Sequence, residues 1–258
     1  MLARVADLGT WALVFALLGG IGGGFVNSVA GGGTLVTFPV LTALGIPALD
    51  ANITNAVALS PGYAGGVYAQ RRDFTGRRDL ARTLGITAIL GGVTGAVLLL
   101  ATGPDLFEEI VPWLIFSATA LMALQGPLRR LTTRARGGTG EARLPILVVP
   151  IFLATVYGGY FGAGLGIVTL AILGLMLTDT LNRLNALKLL MSLSANGAAA
   201  IFFAFTGHVY WLVGVLMGIG AWAGGWLGGK TVPHLSEAVF RTGVVLLGLG
   251  VGFAFLLT

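Results

Sequence analysis

Polar side chains that could bind a solute lie inside otherwise apolar stretches of this chain. Asn52 and Asn55 are three residues apart in one stretch, and Asn185 and Lys188 have the same spacing in another. Positions i and i+3 share one face of a helix, so each pair presents two polar groups to one side. Such groups are costly in an apolar setting unless paired, and they mark a functional site by default. The spacing predicts a binding site, although asparagines that join helices and a lysine that reaches the membrane surface would leave the same pattern.

Two glycine clusters, at 31–33 and 162–166, lie next to these stretches. Each precedes a short apolar run, 34–44 or 167–177, which at about 1.5 Å per residue spans roughly half of a ~30 Å hydrocarbon core. Broken backbone at membrane depth is tolerated only where it is buried in protein or lines a cavity. Many of the 42 glycines would serve helix packing alone. The candidate substrate-binding residues are Asn27, Ser28, Gly31, Gly32, Gly33, Thr34, Asn52, Thr54, Asn55, Gly164, Gly166, Asn185, Lys188 and Ser192.

The elements that must position these residues are helices in a membrane. Of the 258 residues, 56% are hydrophobic and 10% are charged, against about 25% charged in a soluble domain. The chain has no cysteine, which excludes disulfides and thiolate chemistry. Repeated apolar stretches of about 20 residues are typical of helices that cross a bilayer. Ten apolar segments follow from the pattern, at 8–29, 34–44, 50–70, 83–102, 108–125, 144–160, 167–177, 182–205, 209–229 and 236–257.

The placement of charge orients these segments. If each short segment returns to the side from which its predecessor came, each half contains five segments. Fourteen of the 15 Lys and Arg residues then lie inside, as do the loops 71–82 and 126–143, whereas Arg4 and both termini lie outside. The rival arrangement joins each short segment to its predecessor, gives eight spans and leaves four basic residues of the second half outside. The positive-inside rule favours the first arrangement.

An internal repeat supports two halves of inverted topology, since five segments per half is an odd number. At an offset of 133, Gly31, Gly33 and Asn52 pair with Gly164, Gly166 and Asn185, and Gly85, Gly91, Gly92 and Gly95 pair with Gly218, Gly224, Gly225 and Gly228. Weak internal symmetry of this kind is typical of transporters. The predicted fold is an all-α polytopic membrane protein of two inverted repeats of about five helices each, with half-helices after the glycine-rich breaks. The first repeat is 1–125, a basic cytoplasmic linker is 126–143, and the second repeat is 144–258.

Other chemistry finds little support in the sequence. Residues 224–231 match the phosphate-loop spacing, but they close an apolar helix instead of following a strand. His208 and His234 fall on opposite sides of the membrane in the favoured arrangement, so they form no metal pair. No catalytic dyad and no cofactor motif is present, so an enzyme is not expected. The basic loops lack the interleaved aromatic residues of a nucleic-acid surface.

Residues 31–41, 50–55 and 162–166 resemble the sulfite exporter TauE/SafE family, and the resemblance extends over nearly the whole chain. It implies a transporter in the cytoplasmic membrane that moves small anions such as sulfite, organosulfonates and some carboxylates. The positions that the resemblance marks are Gly31, Gly32, Gly33, Thr34, Pro39, Asn52, Thr54, Asn55, Gly164 and Gly166.

Physical reasoning independently favours an anion. Both half-helices would point their N-termini, where unpaired N–H groups carry partial positive charge, toward the middle of the membrane. Lys188 adds a full positive charge, and no Asp or Glu falls inside a predicted helix interior. The expected function is export of a small anion through a midplane site between the repeats, in contact with the lipid bilayer and compatible with a homodimer. The alternatives are transport of another small solute, either a carboxylate or a neutral compound, and a membrane scaffold subunit.

Overall fold

A computed structural model describes residues 9–135, 144–231 and 237–257, and every regular element within those ranges is helical. In chain order the helices are α1 Thr10–Val29, α2 Thr34–Ala43, α3 Ala48–Ala69, a 3₁₀ turn Arg71–Phe74, α4 Arg78–Ala135, α5 Leu144–Tyr160, α6 Leu165–Met176, α7 Leu181–Phe203, α8 Trp211–Thr231 and α9 Glu237–Leu257. The all-α prediction is therefore confirmed. The linker residues 136–143, Arg4, His234 and both chain ends lie outside the described residues.

Helix α4 contains two of the predicted segments. Its backbone leaves the helical conformation at Gly103, where φ is 75° and ψ is 171°. Pro104 follows, and proline suits the first position of a helix because its missing N–H would be unpaired there anyway. Glycine ends one arm and proline begins the next, so 78–102 and 104–135 act as two helices. The sequence prediction placed a break between 102 and 108, in agreement.

The two predicted breaks are present and have the same backbone form. Gly31 and Gly162 have φ of 82° and 80°, a left-handed conformation that glycine adopts without steric penalty. Each donates its N–H to the carbonyl five residues earlier, Gly31 to Val26 at 3.1 Å and Gly162 to Tyr157 at 3.2 Å. This pattern ends α1 and α5 by the same local geometry.

The half-helices are short, as predicted, but they differ in length. Helix α2 has 10 residues and α6 has 12, or about 15 and 18 Å. The breaks correspond at an offset of 131, whereas α3 and α7, which begin at Ala48 and Leu181, correspond at 133. The two additional residues of α6 account for the difference. The backbone counterpart of Gly31 is therefore Gly162, and the fixed offset had paired Gly31 with Gly164.

Among the described residues, four helices are long and apolar enough to cross a membrane, by length and composition. They are α1, α7, residues 78–127 of α4 and residues 211–230 of α8. Shorter apolar helices accompany them, including α2 and α6. Large apolar side chains such as Leu153, Ile219 and Leu246 are more than half exposed, as expected of a surface that faces lipid. These features indicate a multi-pass membrane protein.

Glycine permits the closest helix contacts. Helix α1 packs along α8, and a Cβ added at Gly24 or Gly224 would collide with the backbone carbonyl of Ala221 or Ile21, respectively. Gly225 lies in the same way against Gly62 of α3. The phosphate-loop spacing at 224–231 therefore arises from packing glycines, which bring transmembrane helices into close contact.

Candidate functional site

The two helix breaks meet each other in the interior. A Cβ added at Gly31 would lie 2.8 Å from the Cα of Gly166, and one added at Gly166 would lie 2.7 Å from the Cα of Gly31. Gly162 faces Thr34 and Asn196, whose side-chain oxygens would lie 3.9 and 3.3 Å from its added Cβ. The break before α2 and the first turn of α6 are thus in backbone contact.

Unpaired amides surround this contact. Among the described residues, the N–H groups of Gly32, Thr34, Gly164 and Gly166 donate no hydrogen bond within the chain. The N–H of Gly33 donates to Asn27 Oδ1 at 3.3 Å. Free N–H groups at a helix N-terminus carry the positive end of the helix dipole and favour an anion. Two such ends converge here.

Lys188 extends into the same region. Its side chain is 1% exposed, and its Cδ lies 3.3 Å from the position of a Cβ on Gly166. The ammonium donates to the carbonyls of Asn27 at 3.4 Å and Ser28 at 3.3 Å, at the C-terminal end of α1. The negative end of a helix dipole stabilises a cation. Lys188 therefore places its side-chain nitrogen inside the protein, and the alternative in which it reaches the membrane surface does not apply.

Asn52 and Asn55 organise the opposite side of the site. Asn52 donates to the carbonyl of Tyr160 at 2.8 Å, at the C-terminal end of α5. Asn55 donates to Thr34 Oγ1 at 3.2 Å and accepts a hydrogen bond from Thr37. Both asparagines are buried. Asn55 therefore fixes the first turn of α2, and Asn52 supports the break before α6.

Ser192 Oγ is a buried polar atom with no hydrogen-bond partner in the part of the chain that the structure describes. Asn27 Nδ2 also lacks a partner that satisfies strict hydrogen-bond geometry, but the Asn27 side chain interacts with the phenol of Tyr63. A buried polar group without a hydrogen bond costs about 1–3 kcal/mol, and such groups in a native protein call for an explanation such as a ligand, an ion or water.

Other candidates have structural partners elsewhere. Ser28 Oγ donates to the carbonyl of Gly225 at 2.8 Å, so it joins α1 to α8. Thr54 Oγ1 accepts from the N–H of Tyr210 at 3.0 Å. Asn185 Nδ2 donates to Gln70 Oε1 at 3.0 Å, which joins α7 to the end of α3.

Gly32 and Gly33 belong to the break but are also required by packing. A Cβ at Gly32 would collide with the end of the Met122 side chain, and one at Gly33 would collide with the carbonyl of Gly23 in α1. Gly164 has φ of 77° and caps α6, with only ordinary contacts nearby. Substitution at Gly33 would therefore disturb the fold as well as the site.

Sequence reasoning left several contributors out of the candidate set. Asn196 lies one turn beyond Ser192 in α7, donates to its carbonyl at 3.1 Å and faces Gly162. Its position on the same helix face as Lys188 and Ser192 was the available signal. No such signal marked Gln70 or Thr37. The partner of Gln70 is Asn185, which is distant in the sequence, and Thr37 lies one turn inside α2.

Two side-chain pairs tie the ends of the α3–α7 pair. At one end, Arg77 Nε lies 3.0 Å from Asp179 Oδ2. At the other end, His208 Nδ1 lies 2.7 Å from Asp50 Oδ1. In each case the loop after one of these helices contacts the beginning of the other. Within the described ranges, no group of three or more His, Cys, Asp or Glu side chains could hold a metal ion.

Known proteins are similar to this chain over most of its length. The chain is 28% identical to the "Probable membrane transporter protein ORF9" of Sinorhizobium sp. over 97% of this chain and 94% of that protein. It is 29% identical to a "Probable membrane transporter protein" of Haemophilus influenzae over 93% of each. It is 26% identical to YfcA of Escherichia coli K12, named in the same terms, over 87% of this chain and 82% of that protein. No solved structure gives a significant match.

The family described as "Sulfite exporter TauE/SafE" matches residues 16–255. That range includes both breaks, the contact between them and every candidate residue. The family and the names of the relatives indicate transport, and neither indicates catalysis. The chain is a membrane transporter and belongs to the sulfite exporter TauE/SafE family.

Proposed function

We propose that this protein exports a small oxyanion, such as sulfite or an organosulfonate, across the cytoplasmic membrane. The substrate binds where the breaks at Gly31 and Gly166 meet, between two repeats of inverted topology. Amides at the starts of α2 and α6 and the ammonium of Lys188 supply the positive potential, and Asn27 Nδ2 and Ser192 Oγ supply further hydrogen bonds.

The contact between the two breaks carries this proposal. Unpaired N–H groups of Thr34 and Gly166 flank that contact, and the stem of Lys188 passes beside it. Because oriented amides and a buried ammonium both favour negative charge, a small anion fits this set of donors better than a cation does. The carboxylates at the two ends of the α3–α7 pair are engaged by Arg77 and His208.

The proposed mechanism is alternating access about an enclosed site. All candidate side chains are buried, with exposures of 6% or less, and the contacts Arg77–Asp179 and His208–Asp50 tie the two ends of the α3–α7 pair. Opening one end would connect the site to one side of the membrane. Exit of a monovalent anion from a negative-inside cell releases about 2.3 kcal/mol per 100 mV, so the membrane potential alone can drive export.

Flux from proteoliposomes tests the proposal. Vesicles containing purified protein are loaded with labelled methanesulfonate, sulfite, acetate or choline, and efflux is followed at an imposed potential. Efflux of sulfite or the sulfonate that increases with inside-negative potential supports the proposal. Equal efflux of choline, or no efflux of any oxyanion above that from protein-free vesicles, contradicts it.

A carboxylate or a neutral solute is the second candidate. The carbonyls of Asn27 and Ser28 already stabilise the Lys188 ammonium. The amide of Asn27 and the hydroxyl of Ser192, which has no hydrogen-bond partner within the described residues, would bind a carboxylate or an uncharged carbonyl equally well. Faster efflux of acetate than of methanesulfonate would favour the carboxylate.

The orientation and assembly belong to the same proposal. Both termini lie outside, the loop 71–82 and the linker 126–143 lie inside, and two copies associate through glycine-rich faces. Mass measurement of the purified protein in lipid nanodiscs tests the homodimer, and a mass of one chain per disc contradicts it.

A further inference from the structure

The two charged pairs at the ends of α3 and α7 have the same placement but different chemistry. The pair Arg77–Asp179 uses a guanidinium, which stays charged at all physiological pH values. The pair His208–Asp50 uses an imidazole, which ordinarily gains or loses its proton between about pH 5 and 8. One end of the helix pair is therefore tied by a permanent charge and the other by a charge that depends on protons.

The His208 pair is well placed to control the end at which it lies. Asp50 is in the first turn of α3, two residues before Asn52. His208 is in the turn between α7 and α8, and two residues later the N–H of Tyr210 donates to Thr54 of α3. The side chains of His208 and Asp50 are 43% and 18% exposed, so protons from the adjacent solution reach them.

The electrostatic surroundings favour attraction once the histidine is protonated. Helix α1 brings no ionisable side chain within its described residues, and the charged residues of α7, α8 and the described side chains of α9 lie toward their other ends. The second arm of α4 begins at this end with carboxylates, and Glu108 lines a cavity of about 680 Å³ with Pro47 and Ala48 at the start of α3. Besides Asp50 itself, the described charged residues at the start of that arm are Asp105, Glu108 and Glu109, and Glu108 lines the cavity.

We propose that His208 and Asp50 form a proton-binding site that controls opening of the outward-facing end. Protonation of His208 turns the hydrogen bond into an ion pair and holds the start of α3 against the α7–α8 turn. Loss of the proton weakens this link and frees the outer mouth, including the cavity beside Pro47. The opposite end, tied by Arg77 and Asp179, does not respond to pH in this range. The assignment of this end to the outside rests on the orientation in the proposed function.

The pair is partly exposed, so its effect is moderate. Partly exposed ion pairs typically change an equilibrium by about 1.5- to 5-fold. Opening of the outer end is therefore expected to be about two- to fivefold less frequent at an external pH of about 5.5 than at about 8. The same factor applies to export wherever outward opening limits the rate.

Cysteine labelling measures opening without any substrate. The chain has no cysteine of its own, Ala48 is 5% exposed, and Phe205 is 86% exposed at the same end. The labelling rate of Ala48→Cys by an impermeant maleimide, divided by that of Phe205→Cys, reports opening and cancels the effect of pH on thiol reactivity. The ratio is measured at external pH 5.5 and 8 in the otherwise native chain, in His208→Gln and in Arg77→Gln.

The ratio should be about two- to fivefold lower at pH 5.5 than at pH 8 in the native background. It should lose this dependence in His208→Gln, which keeps a hydrogen bond to Asp50 without the charge, and retain it in Arg77→Gln. A ratio that does not vary with pH in the native background, or that varies equally in His208→Gln, overturns the proposal. Methanesulfonate efflux at both pH values is measured in parallel. Absent efflux with a histidine-dependent labelling ratio would contradict the proposed function and leave the proton site standing.

Discussion

Replacement of Lys188 by methionine tests whether its ammonium binds the anion or only stabilises the fold. The methionine keeps most of the apolar length of the side chain and removes the ammonium that donates to the carbonyls of Asn27 and Ser28. Those carbonyls end α1, so they can also be satisfied by water or by a tightened last turn. A buried charge carries a desolvation penalty that offsets much of its attraction. We therefore expect a small net change in the stability of the unliganded protein.

The effect on anion binding should be much larger. Two unit charges about 4 Å apart interact by about 4 kcal/mol at an effective dielectric constant of 20, and loss of one partner of a buried charged pair costs about 2–5 kcal/mol. The carbonyl oxygens of Asn27 and Ser28, at 3.4 and 3.3 Å from the ammonium, already offset part of its positive potential. A loss of about 2–4 kcal/mol corresponds to an increase of about 30- to 700-fold in Kd.

Titration calorimetry with methanesulfonate at matched ionic strength checks this value. Lys230→Met is the matched control, because Lys230 is exposed and lies 3.6 Å above the ring of Trp226. The control should change Kd by less than about fivefold, and Lys188→Arg should retain part of the affinity. A Kd for Lys188→Met within about threefold of the native value, under about 0.7 kcal/mol, would refute the role of this charge and leave the amides of α2 and α6 as the anion-binding groups.

Further substitutions test the contact between the breaks, the roles of the two buried serines and the orientation in the membrane. Gly31→Ala forces a side chain into φ of 82° against Gly166 and should destabilise the protein by about 1–3 kcal/mol. The control Gly250→Ala has no atom within 4 Å of its added Cβ, so it should change the thermal midpoint little. Equal shifts of the thermal midpoint in the two variants would show that the contact between the breaks is not tight. Ser192→Ala removes a hydroxyl that has no hydrogen-bond partner within the described residues, so it should weaken methanesulfonate binding without loss of stability. Ser28→Ala removes the hydrogen bond to Gly225, so it should lower the free energy of unfolding by about 0.5–1.5 kcal/mol and leave binding unchanged. If Ser28→Ala weakened binding and Ser192→Ala lowered stability instead, the proposed site would be contradicted. Thr75→Cys should react with an impermeant maleimide only after cells are permeabilised, and Phe205→Cys should react in intact cells; the opposite result would invert the proposed orientation.

The breaks could be predicted from the sequence because their causes are local. A glycine run supplies backbone that can take φ above zero, as Gly31 and Gly162 do, and the apolar run that follows is too short to cross a bilayer. Helix α2 begins at Thr34 as predicted, and α6 begins at Leu165, two residues before the predicted 167. That difference is the normal uncertainty of a boundary read from composition.

The roles of individual polar residues could not be predicted, because their partners are distant in the chain. Ser28 and Ser192 are both buried serines in apolar helices. The hydroxyl of Ser28 donates to Gly225, yet the hydroxyl of Ser192 has no partner within the described residues. Asn52 and Asn185 match in the repeat, yet Asn52 bonds to the backbone of α5 and Asn185 to Gln70. Residue type and spacing indicate that a polar group needs a partner, and only the packing of the helices decides which one.

Two matching contacts at the helix breaks differ in their chemistry. A residue of α3 and a residue of α7 each donate to the C-terminal end of the helix before a break: Asn52 holds Tyr160 at the end of α5, and Lys188 holds Asn27 at the end of α1. The geometry of support is shared, but one support is a neutral amide and the other is an ammonium. An anion interacts much more strongly with the charged support than with the neutral one. The anion preference that we propose would therefore depend on Lys188 more than on the two glycine breaks.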